Sequence, residues 1–226
     1  MKPTFLALSI FILFSTIGYS QNDAEDYLGS WYYISMNHRF SERWSIKPYA
    51  EFRFYETSSN YNLTFLSLSA NYHLKRSGVL SLGYANLDID RIFEFDDSPH
   101  VVENRIMEQY SFTHGKKKLK INHRLRLEHR FLELSSGLEV QHRLRYRFSL
   151  TYPLNPYVSA VMFDEGFVNF QNEAFHENRF FLGFGFNLLP KSQLRVGYLK
   201  HHIKDNNLDR IMIGFIYKSS SLKKKP

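Results

Sequence analysis

The chain has 226 residues, a formal net charge of +7 and no cysteine, which excludes disulfides, thiolate metal sites, cysteine nucleophiles and lipid attachment through an N-terminal cysteine. Aromatic residues make up 17% of the chain and charged residues 23%, a combination that a soluble protein would resolve by hiding its rings in a thick core. No apolar run after residue 20 reaches the ~18–20 residues of a membrane helix, and the length is that of one domain.

Residues 1–20 read as a cleaved export signal. Met1-Lys2 is a short basic start, Phe5 to Ile17 is apolar, and Gly18-Tyr19-Ser20 offers small residues before Gln21. Residues 21–28 are expected to be a periplasmic N-terminal segment or to hold a first strand that the pattern does not reveal.

From residue 29 onward, apolar and polar residues alternate with period two, the signature of strands. The clearest case is 118–131, where Leu119, Ile121, His123, Leu125, Leu127, His129 and Phe131 share one face and Lys118, Lys120, Asn122, Arg124, Arg126, Glu128 and Arg130 the other. Residues 138–152 repeat it, with Glu139, Gln141, Arg143, Arg145 and Arg147 on the polar face. Similar segments lie at 29–40, 43–56, 61–75, 78–90, 101–114, 155–165, 177–189, 192–203 and 207–218. Most are longer than the ~5–6 residues of soluble strands and match tilted membrane-crossing strands of ~9–11 residues plus overhang.

The connections alternate as well. Short ones fall at Ser41-Glu42, Arg76-Ser77, Gly115-Lys116, Leu154-Asn155 and Lys191-Ser192, and longer ones at 56–60, 91–100, 134–137, 166–176 and 204–206. Short turns on one rim and longer loops on the other describe an outer-membrane barrel with the turns in the periplasm. Such barrels hold an even number of strands, so eleven segments imply one missing strand. About 17 residues per strand and turn favours twelve. The expected fold is all-β: an antiparallel transmembrane β-barrel of 10–12 strands over residues 29–218, followed by a basic tail at 219–226.

Soluble and membrane barrels both alternate, with opposite faces inward. Strand length, the export signal and aromatics near strand ends (Trp31, Trp44, Tyr110, Tyr152, Tyr198 and Tyr217) favour apolar residues outward, with Trp31, Trp44, Tyr152 and Tyr217 as an interfacial girdle. The expected location is the cell outer membrane, and the expected partners are its lipid and the barrel-assembly machinery. A turn at Ser135-Ser136 would set Glu128 opposite Arg143, Arg126 opposite Arg145, Arg124 opposite Arg147 and His129 opposite His142. Lys120, Arg124, Arg126, Arg130, Arg143, Arg145 and Arg147 would then line a lumen, tied by the Glu128–Arg143 pair. Further acids expected on inward faces are Glu51, Glu103, Glu139, Glu177 and Asp209.

Two uses of such a lumen follow. Buried charges must be paired or hydrated, so the interior could be a salt-bridged filling that stiffens the barrel. Rings of Arg or Lys also select anions, which gives a narrow, porin-like pore for small anionic solutes. A third use is a binding or assembly module acting through loops 91–100 and 166–176, which carry Phe93, Phe95, Asp96, Asp97, Phe167 and Phe170. Catalysis finds no support, because His129 and His142 sit on the apolar face and no nucleophile elbow accompanies Ser135 and Ser136. No metal site, cofactor or nucleic-acid partner is expected: histidines and carboxylates lack ligand spacing, and the cations follow strand parity instead of forming a patch.

Several motifs together resemble an uncharacterised family of small outer-membrane β-barrel proteins, classed as a domain of unknown function and common in Gram-negative bacteria. They are Trp31, Ser41-Glu42-Arg43-Trp44, Glu103-Asn104-Arg105, Glu177-Asn178-Arg179, the Arg124/Arg126/Glu128/Arg130 ladder, Arg143-Leu144-Arg145-Tyr146-Arg147 and Asn155-Pro156-Tyr157. The resemblance implies fold and location and brings no activity. The last strand resembles the signal read by the insertion machinery, with Tyr217 three residues after Gly214, although nine residues follow it.

Overall fold

A computed structural model describes residues 24–75, 77–93, 98–171 and 174–222. The export signal, residues 21–23, Arg76, Phe95, Asp96, Asp97 and the final Lys223–Pro226 lie outside the described residues.

The described chain forms one closed barrel of eleven strands. They are β1 (Leu28–Arg39), β2 (Trp44–Phe54), β3 (Tyr61–His73), β4 (Gly78–Ile89), β5 (Val101–Lys116), β6 (Leu119–Leu134), β7 (Gly137–Pro153), β8 (Val158–Asn169), β9 (Glu177–Leu189), β10 (Ser192–Ile203) and β11 (Asn206–Ser220). Each pairs antiparallel with the next in sequence, and β1 closes the barrel against β11 in parallel, from Leu28↔Asp209 to Arg39↔Ser220.

That seam corrects the expectation of an even strand number. Antiparallel neighbours of odd number can close only if the first and last strands run the same way. Residues 24–27 make turns at the mouth and add no strand. The two ends therefore sit on opposite rims. Thr57 Oγ1 donates to Leu28 O at 2.8 Å beside the 55–60 loop, whereas Ser221 N donates to Arg39 O at 2.9 Å at the short-turn rim.

Two boundaries also move. The β6–β7 connection, expected as a longer loop at 134–137, is a tight turn at Ser135-Ser136 leading into Gly137, whose φ of 117° is open to glycine and strained for other residues. The segment expected at 155–165 is β8, and it runs on to Asn169, so Phe167 is a strand residue and not a loop residue.

Side-chain parity sorts the two surfaces. Ile34, Leu68, Leu82 and Leu182 point outward and are each more than half exposed. Glu103, Glu128 and Glu165 point inward and have no exposed surface. A soluble barrel would be built the other way, since monomeric soluble proteins rarely expose contiguous apolar patches beyond a few hundred Å². Two apolar clusters also fill parts of the interior: Trp31, Val161, Phe163, Phe181, Leu199 and Met212 on one wall, and Leu63, Phe65, Ala85, Leu87 and Met107 on the other.

Candidate functional site

The lumen is organised by the β6–β7 register. Glu128 faces Arg143, Arg126 faces Arg145 and Arg124 faces Arg147 across the ladder, as the turn position predicts. Two of those pairs set like charges directly opposite each other, which is unfavourable unless an anion stands between them.

The anions come from other strands. Glu165, from β8, accepts from Arg145 Nη2 at 3.0 Å and Arg147 Nη2 at 2.6 Å, and also from Arg124. Glu128 accepts from Arg143 Nη2 at 2.7 Å and Arg145 Nη1 at 2.6 Å, with Arg105 Nη1 at 3.4 Å and Arg126 Nη1 at 3.6 Å. Glu103 holds Arg105 at 2.6 Å and Arg130 at 2.8 Å. Glu177 takes Arg143 Nη1 at 3.1 Å and His201 Nε2 at 2.9 Å, and pairs with Arg179. The result is one continuous network from Arg130 to Arg179. The fully buried Phe167 ring lies under Arg143, Arg145 and Arg179 at 4.6–4.9 Å, and Phe163 under Arg147 at 4.1 Å.

Beside this network a cavity of about 1580 Å³ lies inside the barrel. Arg124, Arg126, Arg130, Arg143, Arg145 and Arg147 line it, joined by Lys47, Arg53, Arg195 and Arg210 from the other strands. Among the described residues, its carboxylates are Glu51, Asp90, Glu103 and Glu177. Glu128 and Glu165 are absent from the lining because they lie beneath their arginines. The network thus covers Glu128 and Glu165 with the arginines they hold, and arginines outnumber carboxylates in the lining. Nε of Arg124, Arg147, Arg179 and Arg195 is buried with no hydrogen-bond partner among the described residues. Lys47 lies within electrostatic reach of Arg124, Arg126, Arg147 and Arg195.

The remaining sequence-derived positions divide. Lys120 is exposed one residue above the start of β6 and does not line the cavity, because it stands at the rim and not in the lumen. Trp31 is a correction. It points inward at 4% exposure, with the Arg53 guanidinium 3.8 Å and the Arg179 guanidinium 4.9 Å from its ring. Odd positions of β1 face the lumen, and proximity to a strand end does not decide the face. Trp44 and Tyr152 are exposed on the outer surface, and Tyr217 shares the outward parity of Phe215. Asp209, expected inside, faces outward and pairs with Lys200 at 2.7 Å. Glu139 stays half-buried near the wide rim, where it accepts from Gln141 at 2.7 Å.

Glu165 is the principal residue that sequence reasoning missed. Its signal was present: Val161, Phe163, Glu165 and Phe167 alternate with Met162, Asp164 and Gly166, but a strand ended at 165 left it at an edge. His129 and His142 meet on the outer face, with Nδ1 atoms 2.9 Å apart. Among the described residues, neither Ser135 nor Ser136 is hydrogen-bonded to a histidine, and no group of three potential metal ligands occurs. Phe93, in a loop considered for recognition, is packed over the mouth, 5.2 Å from the Tyr27 ring and 5.7 Å from that of Tyr55.

A family model described as "Protein of unknown function (DUF2490)" matches residues 28–212. No curated protein matches the sequence. Among solved structures the chain is similar to a NanC porin at 14% identity and a TM-score of 0.48, with 80% of this chain and 93% of that chain covered.

Proposed function

The chain belongs to the DUF2490 family of proteins of unknown function, and for this member we propose a narrow, anion-preferring conduit through the outer membrane, with its short turns in the periplasm. The carrying observation is the lining of the lumen. Arginines face a cavity of about 1580 Å³ while Glu128 and Glu165 are covered by the guanidinium groups they hold. A filling built only for stiffness would pair its cations and close the space. Here Lys47 and Arg195 face the cavity with no carboxylate partner among the described residues, and the Arg195 guanidinium is held by neutral groups, with Nη2 donating to Gln193 Oε1 at 3.1 Å. Cations withdrawn from bulk water and left unpaired favour mobile anions in the adjacent space. Planar guanidinium forks suit carboxylate or phosphate groups on small solutes. The outward apolar belt supports the membrane setting, and the ionic network supplies rigid walls.

The test is conductance of the refolded chain in planar bilayers under a potassium chloride gradient. The expected result is stepwise current with a reversal potential on the chloride side, shifted toward potassium by Arg195→Glu. That variant spares the buried carboxylates. A folded barrel that stays silent, or one whose reversal potential ignores Arg195→Glu, overturns the reading.

A further inference from the structure

The two rims of the barrel carry opposite charge. At the short-turn rim, Arg43, Lys75, Lys116, Lys117, Lys118 and Lys191 are all exposed, and Glu42 is the carboxylate found there among the described residues. The wide rim carries Glu56, Asp88, Asp90, Glu133 and Asp205 against Arg91 and Lys204. This asymmetry lies along the barrel axis and is separate from the lumen chemistry.

The cations of the short-turn rim are concentrated at one place. β4 begins opposite Phe112, so His114 to Lys116 of β5 project beyond it, and the β5–β6 turn carries Lys117 and Lys118 at the tip. Below the tip the outer surface turns aromatic. Phe112 and His114 are stacked with centroids 5.5 Å apart, and His114 and His123 stack at 5.2 Å. At the β1–β2 turn, two short turns further along the rim, Arg43 Nη1 donates to Tyr72 OH at 3.1 Å, and Tyr72 meets the exposed Trp44 edge-on at 5.0 Å. A layer of ammonium and guanidinium groups above a layer of amphipathic rings above an apolar belt repeats, in order, the phosphate, interface and acyl layers of a leaflet.

We propose that the short-turn rim is a collar for the phosphate headgroups of an anionic phospholipid leaflet, with Lys116, Lys117 and Lys118 as its main contact. The inference rests on the membrane-barrel reading but not on the lumen being open. Charge complementarity selects the occupant: an apolar partner would leave the lysines desolvated and unpaired, and a zwitterionic headgroup offers no net charge to match them.

The test reconstitutes the full refolded chain into phosphatidylcholine vesicles doped with spin-labelled phosphatidylglycerol or spin-labelled phosphatidylcholine, and measures the motionally restricted fraction of each. The expected result is a preference for phosphatidylglycerol that weakens in high salt. The triple variant Lys116→Gln, Lys117→Gln, Lys118→Gln should reduce it by at least roughly five-fold, the effect of one such cation at an anionic surface. These exposed turn positions leave the barrel intact, which retained heat-modifiable mobility would confirm, and Asp88→Asn at the other rim should change nothing. Equal restriction of both lipids, or a preference that survives the triple variant, overturns the collar and leaves the membrane barrel standing. Restriction of neither lipid overturns the membrane setting itself.

Discussion

Glu165 illustrates how much one inward carboxylate carries in this lumen. It is fully buried, and Arg124, Arg145 and Arg147 all converge on it. Glu165→Gln keeps the shape and removes the charge, so three guanidinium groups on adjacent strands lose their shared anion and repel one another. Removing one partner of a buried ion pair typically costs about 3–5 kcal/mol, because the other charge stays buried without compensation. The expected outcome is a lower urea midpoint for the refolded barrel, corresponding to an unfolding free energy reduced by an amount of that order, whereas Glu139→Gln, at the half-buried rim, should change that free energy by less than about 0.5 kcal/mol. An unchanged midpoint for Glu165→Gln would mean that the arginines find water or mobile anions instead. The Glu128–Arg143 tie could be read from the chain because a two-residue turn fixes the register and period-two alternation fixes the face. Glu165 and the inward Trp31 could not be read in the same way. Glu165 meets its partners from a different hairpin, and the face of Trp31 depends on parity counted from an end the alternation leaves ambiguous.

At the scale of strands, the parallel closure of β1 on β11 is the feature least like its neighbours. Parallel pairing is somewhat weaker per residue than antiparallel pairing, so side-chain packing has to support the seam. The Tyr33 ring lies directly over Gly214, its partner across the seam. A Cβ on Gly214 would fall within 2.0 Å of that ring, so the glycine makes room for the tyrosine. The chain contains no cysteine, which makes cross-linking unambiguous. Ile34→Cys combined with Phe215→Cys places two thiols at facing outward positions of the seam, and mild oxidation should join them intramolecularly in the folded barrel. Mass spectrometry of the tryptic peptides checks the bond, with Ile34→Cys plus Leu82→Cys on β4 as the unpaired control. A twelfth strand inserted between β1 and β11 would separate the thiols by roughly an extra strand spacing of 4.8 Å or more and prevent the bond. Ten of the eleven ladders were legible as hairpins between consecutive segments. The seam was not, because it joins the most distant strands and no turn encodes it.

The whole molecule behaves as a charge distribution set in a low-dielectric wall. Its interior exposes guanidinium groups and hides Glu128 and Glu165, and the net formal charge of the chain is +7. Fixed charge in a narrow lumen attracts counter-ions through a field that salt screens over about 10 Å at 0.1 M and about 3 Å at 1 M. At the lower concentration the field spans the water between opposite walls, and at the higher it covers only the first layer against each arginine. Anion preference through the conduit should therefore be strong in dilute potassium chloride and fade as the mean concentration approaches 1 M at a constant gradient ratio. Reversal potentials measured across that series on one bilayer preparation test the point. A preference that stays constant with salt would place selectivity in direct coordination by individual arginines, while a preference for potassium at low salt would mean that the buried carboxylates, and not the guanidinium groups above them, govern the field in the water.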